Sequence, residues 1–355
     1  MSIIRHSMPT LDGLEVSALS RTLQSHYIAS GEEVAIFEKE VAAYCGVTGA
    51  VACSSGTAAI HLALLGLGIG KGMEVIIPSF SCASLYQAVA YTGAIPVLAD
   101  CDSKTFLMTA DRVKMKITNK TRAVILPHMF GLPADVDEMK GLGLMIIEDI
   151  AQAMGATYKG EKTGGLTEVA VTSFYATKMM TTGTGGMVLS DDQEFLAKVR
   201  DLNGVDKKQD LNIHLPYLMN DIQASMGRCQ LKKLDHFIAK RKETASRLND
   251  LLSSLPVETP ACLPFREHIY FRYCIHMKKN IGPVMAFLNQ KDIHVQRPIF
   301  SPLHLLNQKR SIDKRGDFPG SEEAWERSIS LPIYPNLHTE EIERMASCLK
   351  ETLDL

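Results

Sequence analysis

Short apolar runs recur along roughly the first 200 residues, at Ala50–Cys53, Glu74–Pro78, Ile95–Asp100, Ala123–His128, Leu144–Asp149, Val169–Phe174 and Met187–Ser190. Several are apolar throughout instead of alternating, which is the pattern of strands covered on both faces. Between them the apolar period becomes helical. Ser30-Gly-Glu-Glu33 reads as a capping box, followed by Val34, Phe37, Val41 and Tyr44 at helical spacing. Thr57–Leu67 is small and apolar on nearly every side, so that helix is expected to be buried. Such alternation implies crossover helices and a mainly parallel sheet.

The pattern changes near Asn220. From Asp221 to Leu255 apolar residues recur at Ile222, Met226, Leu231, Leu234, Ile238, Ala245, Leu248 and Leu252, which predicts one long or kinked amphipathic helix. Beyond Pro256 come a strand signal at Tyr270–His276, a Pro- and Gly-punctuated loop around Arg297–Gly320, and a final helix over Thr339–Leu353. The expected organisation is a large α/β domain over 1–220, a connecting helix over 221–255 and a smaller α+β domain over 256–355.

Composition narrows the class of function. The chain has 355 residues, 46% of them hydrophobic and 22% charged, enough apolar material for a substantial core. Its 38 basic and 40 acidic residues leave a net charge of −2, which gives no electrostatic reason to expect nucleic acid or an anionic membrane as partner. No apolar run approaches a membrane span, and Met1–Asp12 lacks the layout of a signal peptide, so a cytoplasmic protein is expected. Eight scattered cysteines form no CxxC pair and have no histidines at zinc spacing, which argues against a metal site or a disulfide framework.

Three groups of residues carry candidate chemistry. Cys53-Ser-Ser-Gly-Thr57 lies between a strand and a helix, where Gly56 permits a sharp turn and Thr57 stands among free backbone N–H groups. That suits a phosphate, although an ordinary helix cap uses the same residues. Leu144-Met-Ile-Ile-Glu-Asp149 is a buried strand ending in two carboxylates. Either an acid facing a protonated cofactor ring or a magnesium-holding acid would fit. The second needs a GxxxxGK[ST] loop, and Gly66-Leu-Gly-Ile-Gly-Lys71 is one residue short of it. Ser173-Phe-Tyr-Ala-Thr-Lys178, followed by the Gly- and Thr-rich Thr181–Gly186, places a lysine just past a strand, where it could form a Schiff base. His61 and His128 read as hydrogen-bonded packing residues. All three groups fall at C-terminal strand ends, where open α/β sheets place ligands. A phosphate cradle, a carboxylate and a lysine are together the anchors that pyridoxal 5′-phosphate requires.

At these residues the chain resembles the DegT/DnrJ/EryC1/StrS aminotransferases. The resemblance runs nearly end to end, through Phe37-Glu38, Ser55-Gly-Thr-Ala-Ala59, Gly72–Ser79, Pro96–Asp102, Gly131–Asp135, Glu148-Asp-Ile-Ala-Gln152, Ser173–Lys178, Gly185-Gly186, Asp221-Ile-Gln-Ala224 and Leu331-Pro-Ile-Tyr-Pro335. It implies a fold-type I pyridoxal-phosphate enzyme, an α/β protein with helices on both faces of its sheet, working as a homodimer. Lys178 would be the Schiff-base lysine, Asp149 the partner of the ring nitrogen and Gln152 a neighbour of the ring hydroxyl. Gly56, Thr57 and Ser173 would bind the phosphate. Similar enzymes move an amino group from L-glutamate or L-glutamine to a keto group of a nucleotide-linked sugar.

Three positions depart from the family pattern. Cys82 stands where an aromatic ring usually covers the cofactor, Pro216-Tyr-Leu218 replaces an Asn-Tyr-Arg pattern that reaches the neighbouring subunit, and Thr184 replaces an acid. Asn220 is the nearest amide that could replace the missing cross-subunit contact. A sugar dehydratase or lyase uses the same anchors, and a non-catalytic binding protein on this fold is the third reading. Specificity is expected from the loops Asn203–Pro216 and Arg297–Gly320.

Overall fold

A computed structural model describes residues 3–206, 208, 210, 212–306 and 313–353. Seven strands build the central sheet: β1 (Gly49–Cys53), β2 (Glu74–Pro78), β3 (Ile95–Ala99), β4 (Thr121–Pro127), β5 (Met145–Asp149), β6 (Val169–Ser173) and β7 (Gly186–Ser190). Their order is β1-β7-β6-β5-β4-β2-β3. Neighbours from β6 through β3 pair in parallel, and β7 runs antiparallel to both β6 and β1. β7 is reversed because Phe174–Gly185 returns the chain without a crossover helix. The sheet is α/β and mainly parallel, as the sequence pattern predicts.

The uninterrupted apolar runs have a direct cause. Consecutive strand residues point to opposite faces, and both faces are dry. Ile76, Val124 and Ile146 enter one core, while Ile77, Ile125 and Ile147 enter the other. Fully burying each such side chain contributes about 1.5–3 kcal/mol. The helix Gly56–Gly66 is enclosed in the second core, with Ala58 through Leu64 all buried.

The helix Glu32–Cys45 forms where expected, but the Ser30 capping box does not. Its N-cap is Gly31, and the Gly31 and Val34 amides donate to Asp221 Oδ1 at 2.8 and 3.1 Å. Asp221 opens the long helix Asp221–Leu252, so one carboxylate serves two helix starts, where negative charge is favoured. That long helix ends three residues before the expected Leu255. Its first half packs Ala224, Leu234 and Ile238 into the first core, and its second half packs Ala245, Leu248 and Leu252 into a third.

The third core surrounds an antiparallel sheet of Val257–Glu258, Tyr273–Met277 and Ser328–Leu331. Its central strand begins at Tyr273 instead of Tyr270. The preceding residues fold over Gly131, with the Ile269 amide donating to Gly131 O and Tyr270 at φ +52°. The final helix, Thr339–Leu353, has the predicted bounds. The loop around Arg297–Gly320 contains the helix Leu303–Leu306 and the start of the helix Pro319–Arg327. Residues 307–312 of that loop, and 207, 209 and 211 of the loop Asn203–Pro216, lie outside the described residues. Among the described residues no helix is long and apolar enough to cross a membrane.

Candidate active site

The ends of β5 and β6, the first turn of Gly56–Gly66 and the start of the helix Ala83–Tyr91 meet around a cavity of about 280 Å³. All seven residues singled out in the sequence, Gly56, Thr57, Cys82, Asp149, Gln152, Ser173 and Lys178, line it. Ser81, Ser84, Tyr175, Thr177, Thr184 and Gly185 line it as well.

At one end stands the helix start. Ser55 is the N-cap, its Oγ accepting from the Ala58 amide at 3.1 Å and its carbonyl from the Ala59 amide at 3.0 Å. The amides of Gly56 and Thr57 are left as donors of the first turn, at the positive end of the helix dipole. A Cβ on Gly56 would stand 2.7 Å from Ser173 Cβ, so only glycine lets the turn approach the Ser173 hydroxyl this closely. Gly186 is required for a similar reason, since a Cβ there would fall 2.3 Å from Ser55 O. Two amides with the Thr57 and Ser173 hydroxyls make a donor set fitted to a phosphate.

At the other end the two acids of β5 separate, because adjacent strand residues face opposite sides. Glu148 points away from the cavity and is fully buried. It accepts from His128 Nε2 at 2.8 Å, the Gly164 amide at 2.7 Å and the Leu166 amide at 3.2 Å. His128 Nδ1 accepts from the Ala134 amide at 2.9 Å, which assigns the ring proton to Nε2. This pair ties β4 to β5 and is structural. Asp149 faces the cavity. Its Oδ1 accepts from the Ala151 amide at 2.9 Å, and its Oδ2 has no hydrogen-bond partner among the described residues. Burial holds its carboxyl above the ordinary range, against the pull of the Ala151 amide and of the Lys178 charge. A buried acid with one open oxygen fits a protonated ring nitrogen.

Gln152 is oriented by the Phe130 amide, which donates to its Oε1 at 2.9 Å and leaves its NH₂ group to donate elsewhere. Phe130 adopts φ +56° beside Gly131, in a region that non-glycine residues rarely enter. Lys178 follows β6, with Nζ 5.2 Å from the centre of the Phe271 ring and no ion-pair partner among the described residues. Burial lowers its proton affinity. Cys82 and Asp149 oppose that effect, and the Arg272 charge adds to it. The cavity therefore brings together an amine of lowered and an acid of raised proton affinity.

Two of the three departures, Cys82 and Thr184, line the cavity. Cys82 is the N-cap of Ala83–Tyr91 and stays exposed at the cavity wall, with no side-chain capping bond. Thr184 is held by Gln223 Nε2, which donates to its carbonyl at 2.8 Å. Asn220 is already engaged: its Oδ1 accepts from the Gln223 amide at 2.9 Å in a capping box that starts the long helix. His61 packs inside Gly56–Gly66 with its Nδ1 3.3 Å from Tyr217 Oη.

Arg272, which does not line the cavity but whose charge acts on Lys178, is a residue the sequence reading did not single out. Its signal was a cation inside an otherwise apolar run, Tyr270–His276, read there only as a strand.

Residues 9–350 match the DegT/DnrJ/EryC1/StrS aminotransferase family. The chain is 33% identical over 361 residues to a GDP-perosamine synthase of Caulobacter vibrioides, covering 97% of each protein. It is 32% identical to the spore coat polysaccharide biosynthesis protein SpsC of Bacillus subtilis, covering 98% of this chain and 96% of that one. Among solved structures, DesV of S. venezuelae, in complex with a ketimine intermediate, superposes with a TM-score of 0.92 at 31% identity, covering 98% of this chain and 99% of DesV. The aminotransferase TlmJ of Streptoalloteichus hindustanus superposes with a TM-score of 0.93 at 29% identity, covering 99% of both. A lysine, an acid and a phosphate-shaped helix start in one cavity are what such chemistry uses, and the chain belongs to the DegT/DnrJ/EryC1/StrS family as a pyridoxal-phosphate-dependent aminotransferase.

Proposed function

We propose that this protein transfers an amino group from L-glutamate or L-glutamine to a keto group of a nucleotide-linked sugar, and that it works as a cytoplasmic homodimer. The observation that carries the reading is the convergence of all seven expected residues on one cavity with Lys178 and Asp149 in it. The names of the relatives, GDP-perosamine synthase and a coat polysaccharide protein, support a sugar as acceptor. An apolar surface along Leu14, Val16, Leu23, Tyr27 and Ile28, all exposed in the single chain, supports association.

Pyridoxal phosphate, when bound, supplies an aldehyde that takes up the amine and a ring that accepts carbanion electrons. Gly56, Thr57 and Ser173 would hold its phosphate, Asp149 would keep its ring nitrogen protonated, and Gln152 would donate to its ring hydroxyl. Lys178 would attach it through Nζ and carry the α-proton in each half-reaction. The lowered proton affinity of Lys178 suits both tasks, since a neutral amine is needed to attack and to accept a proton.

An absorbance spectrum of the loaded protein, taken before and after L-glutamate, tests the reading. The expected result is conversion of the aldehyde-derived band to the amine form with release of 2-oxoglutarate. A band that ignores both glutamate and glutamine would reject these donors. A sugar substrate that loses water without consuming any donor would assign lyase chemistry instead. Borohydride should fix the cofactor to the parent protein and leave Lys178→Ala unlabelled; labelling of that variant would move the attachment site to another lysine.

A further inference from the structure

Two of the enclosed guanidinium groups in this chain have their charge matched: Arg228 meets Glu33 and Glu40, and Arg266 meets Asp135. Arg241 is buried and donates to the carbonyls of Tyr270, Phe271 and Ile333. Arg272 is different. Its side chain is largely enclosed, and among the described residues no carboxylate lies within ion-pair distance of it. Its neighbours are neutral: Nη1 lies 3.1 Å from His6 Nε2, and the guanidinium carbon lies 5.5 Å from the centre of the Phe271 ring. His6 cannot supply the missing charge, being neutral, and it is itself held by Ser330 Oγ at 2.9 Å.

The position of Arg272 matters as much as its lack of a counter-ion. Phe271, whose ring faces Lys178 Nζ, precedes it in the chain. Arg272 borders two small crevices. One shares Thr177 with the cofactor cavity and the other shares Met129 with it. Its charge reaches Lys178 on one side and Arg241 on the other, lowering the proton affinity of each. Asp149, already assigned to the ring nitrogen, is the one acid among the described residues that line the cavity with Lys178. An enclosed cation of this kind is costly unless an anion joins it, and a guanidinium fork matches a carboxylate in shape and charge.

We propose that Arg272 is the substrate-binding residue that receives the carboxylate of the amino-acid donor. The inference rests on the aminotransferase reading for what the anion is. A donor carboxylate is bonded directly to the carbon that reacts beside Lys178, so its anion must dock within a side chain's reach of Nζ. The phosphates of a nucleotide-linked sugar are separated from the keto carbon by much of the sugar ring. His6 and the Phe271 ring, which touch the guanidinium, act as its positioning residues.

Glutarate, a dicarboxylate with no amine to react, is the probe. Calorimetric titration of the loaded parent protein, Arg272→Gln and Arg272→Lys should show binding to the parent and about tenfold or greater weakening in Arg272→Gln, with Arg272→Lys between them. In single-turnover release of 2-oxoglutarate, half-saturating L-glutamate should rise by a similar factor. Cofactor affinity and the half-reaction with a keto-sugar should hold steady. Equal glutarate and glutamate titrations in parent and Arg272→Gln would overturn the proposal, as would a loss confined to the keto-sugar half-reaction, which would assign the anion to the acceptor. If Arg272→Gln fails to fold, Arg272→Lys still decides, because a folded lysine variant with unaltered titrations contradicts a guanidinium–carboxylate fork. A parent protein that binds glutarate and releases no 2-oxoglutarate would sink the aminotransferase donor while leaving the anion site in place.

Discussion

Stripped of its cofactor, the protein carries at Asp149 a buried carboxyl with one backbone donor and one open oxygen. Its proton affinity in the fold lies above the ordinary 3.8, with burial as the largest cause. A group shifted in this direction contributes stability that is complete below its unfolded value and lost as pH rises through its folded value. Asp149→Asn in the stripped protein is therefore expected to melt higher than the parent at about pH 7 and alike at about pH 3. With pyridoxal phosphate bound the order should reverse, because the variant loses a charge-assisted bond worth about 1.5–3 kcal/mol. Calorimetric melts of both forms check this, and equal neutral-pH melts of the stripped proteins would mean that the Asp149 carboxylate is not penalised there. At this scale the sequence was only partly readable. Glu148 and Asp149 appear as one acidic pair in the sequence, and only the pleat of β5 sends one to His128 and the other to the cavity. Arg272 left even less trace, because a missing counter-ion is a fact about the whole neighbourhood and not about spacing.

Elements were easier to read where burial on two faces dictates composition. The apolar runs of β2, β4 and β5 have no other use, and their bounds in the fold differ little from the sequence reading. Helix starts were harder, because a cap can come from far along the chain. Ser30 had the right local pattern, yet Asp221 holds the amides of Gly31 and Val34 from 190 and 187 residues away. Asp221→Ala should cost about 1–2 kcal/mol in urea unfolding, the range for losing a strong cap. Ser30→Ala should stay within about 0.5 kcal/mol of the parent, as exposed substitutions without partners do. The opposite ranking would return the cap to Ser30. The cradle at Gly56 admits a comparable test. Gly56→Ala places a methyl 2.7 Å from Ser173 Cβ, so the turn must move away from the serine hydroxyl. Overpacking of this kind costs about 1–3 kcal/mol, and cofactor affinity should fall with it. A variant that binds pyridoxal phosphate as the parent does would show that the phosphate does not use this turn.

Across the whole molecule, chain order conceals how the two ends are joined. The first described residues do not lie on the large sheet that follows them in sequence. Ile4 is fully buried in the third core, with its amide donating to Asp292 O and its carbonyl accepting from the His294 amide, both at 2.9 Å. Two residues later His6 contacts Ser330 and Arg272, and the chain then passes to the helix Gly13–Gln24 against the long helix. Glu15 on that helix binds Lys233 Nζ at 2.7 Å, which fastens the strap at its far end. No periodicity announces such a strap, because an isolated Ile3-Ile4 pair ahead of Arg5 and His6 does not show which isoleucine is buried, or in which core. The arrangement makes the N-terminal residues part of the wall behind Arg272, so loosening them should weaken two properties together. Ile4→Ala removes a fully buried side chain and should cost about 2–5 kcal/mol in urea unfolding. Hydrogen exchange should quicken first at Ile275 and Ile329, which share the third core with Ile4, before it changes in β4 or β5. Half-saturating L-glutamate should rise in the same variant, because His6 no longer keeps its place against the guanidinium. An unchanged urea midpoint would show that the C-terminal core stands without the strap, and unchanged donor saturation in a destabilised variant would show that Arg272 holds its position without His6.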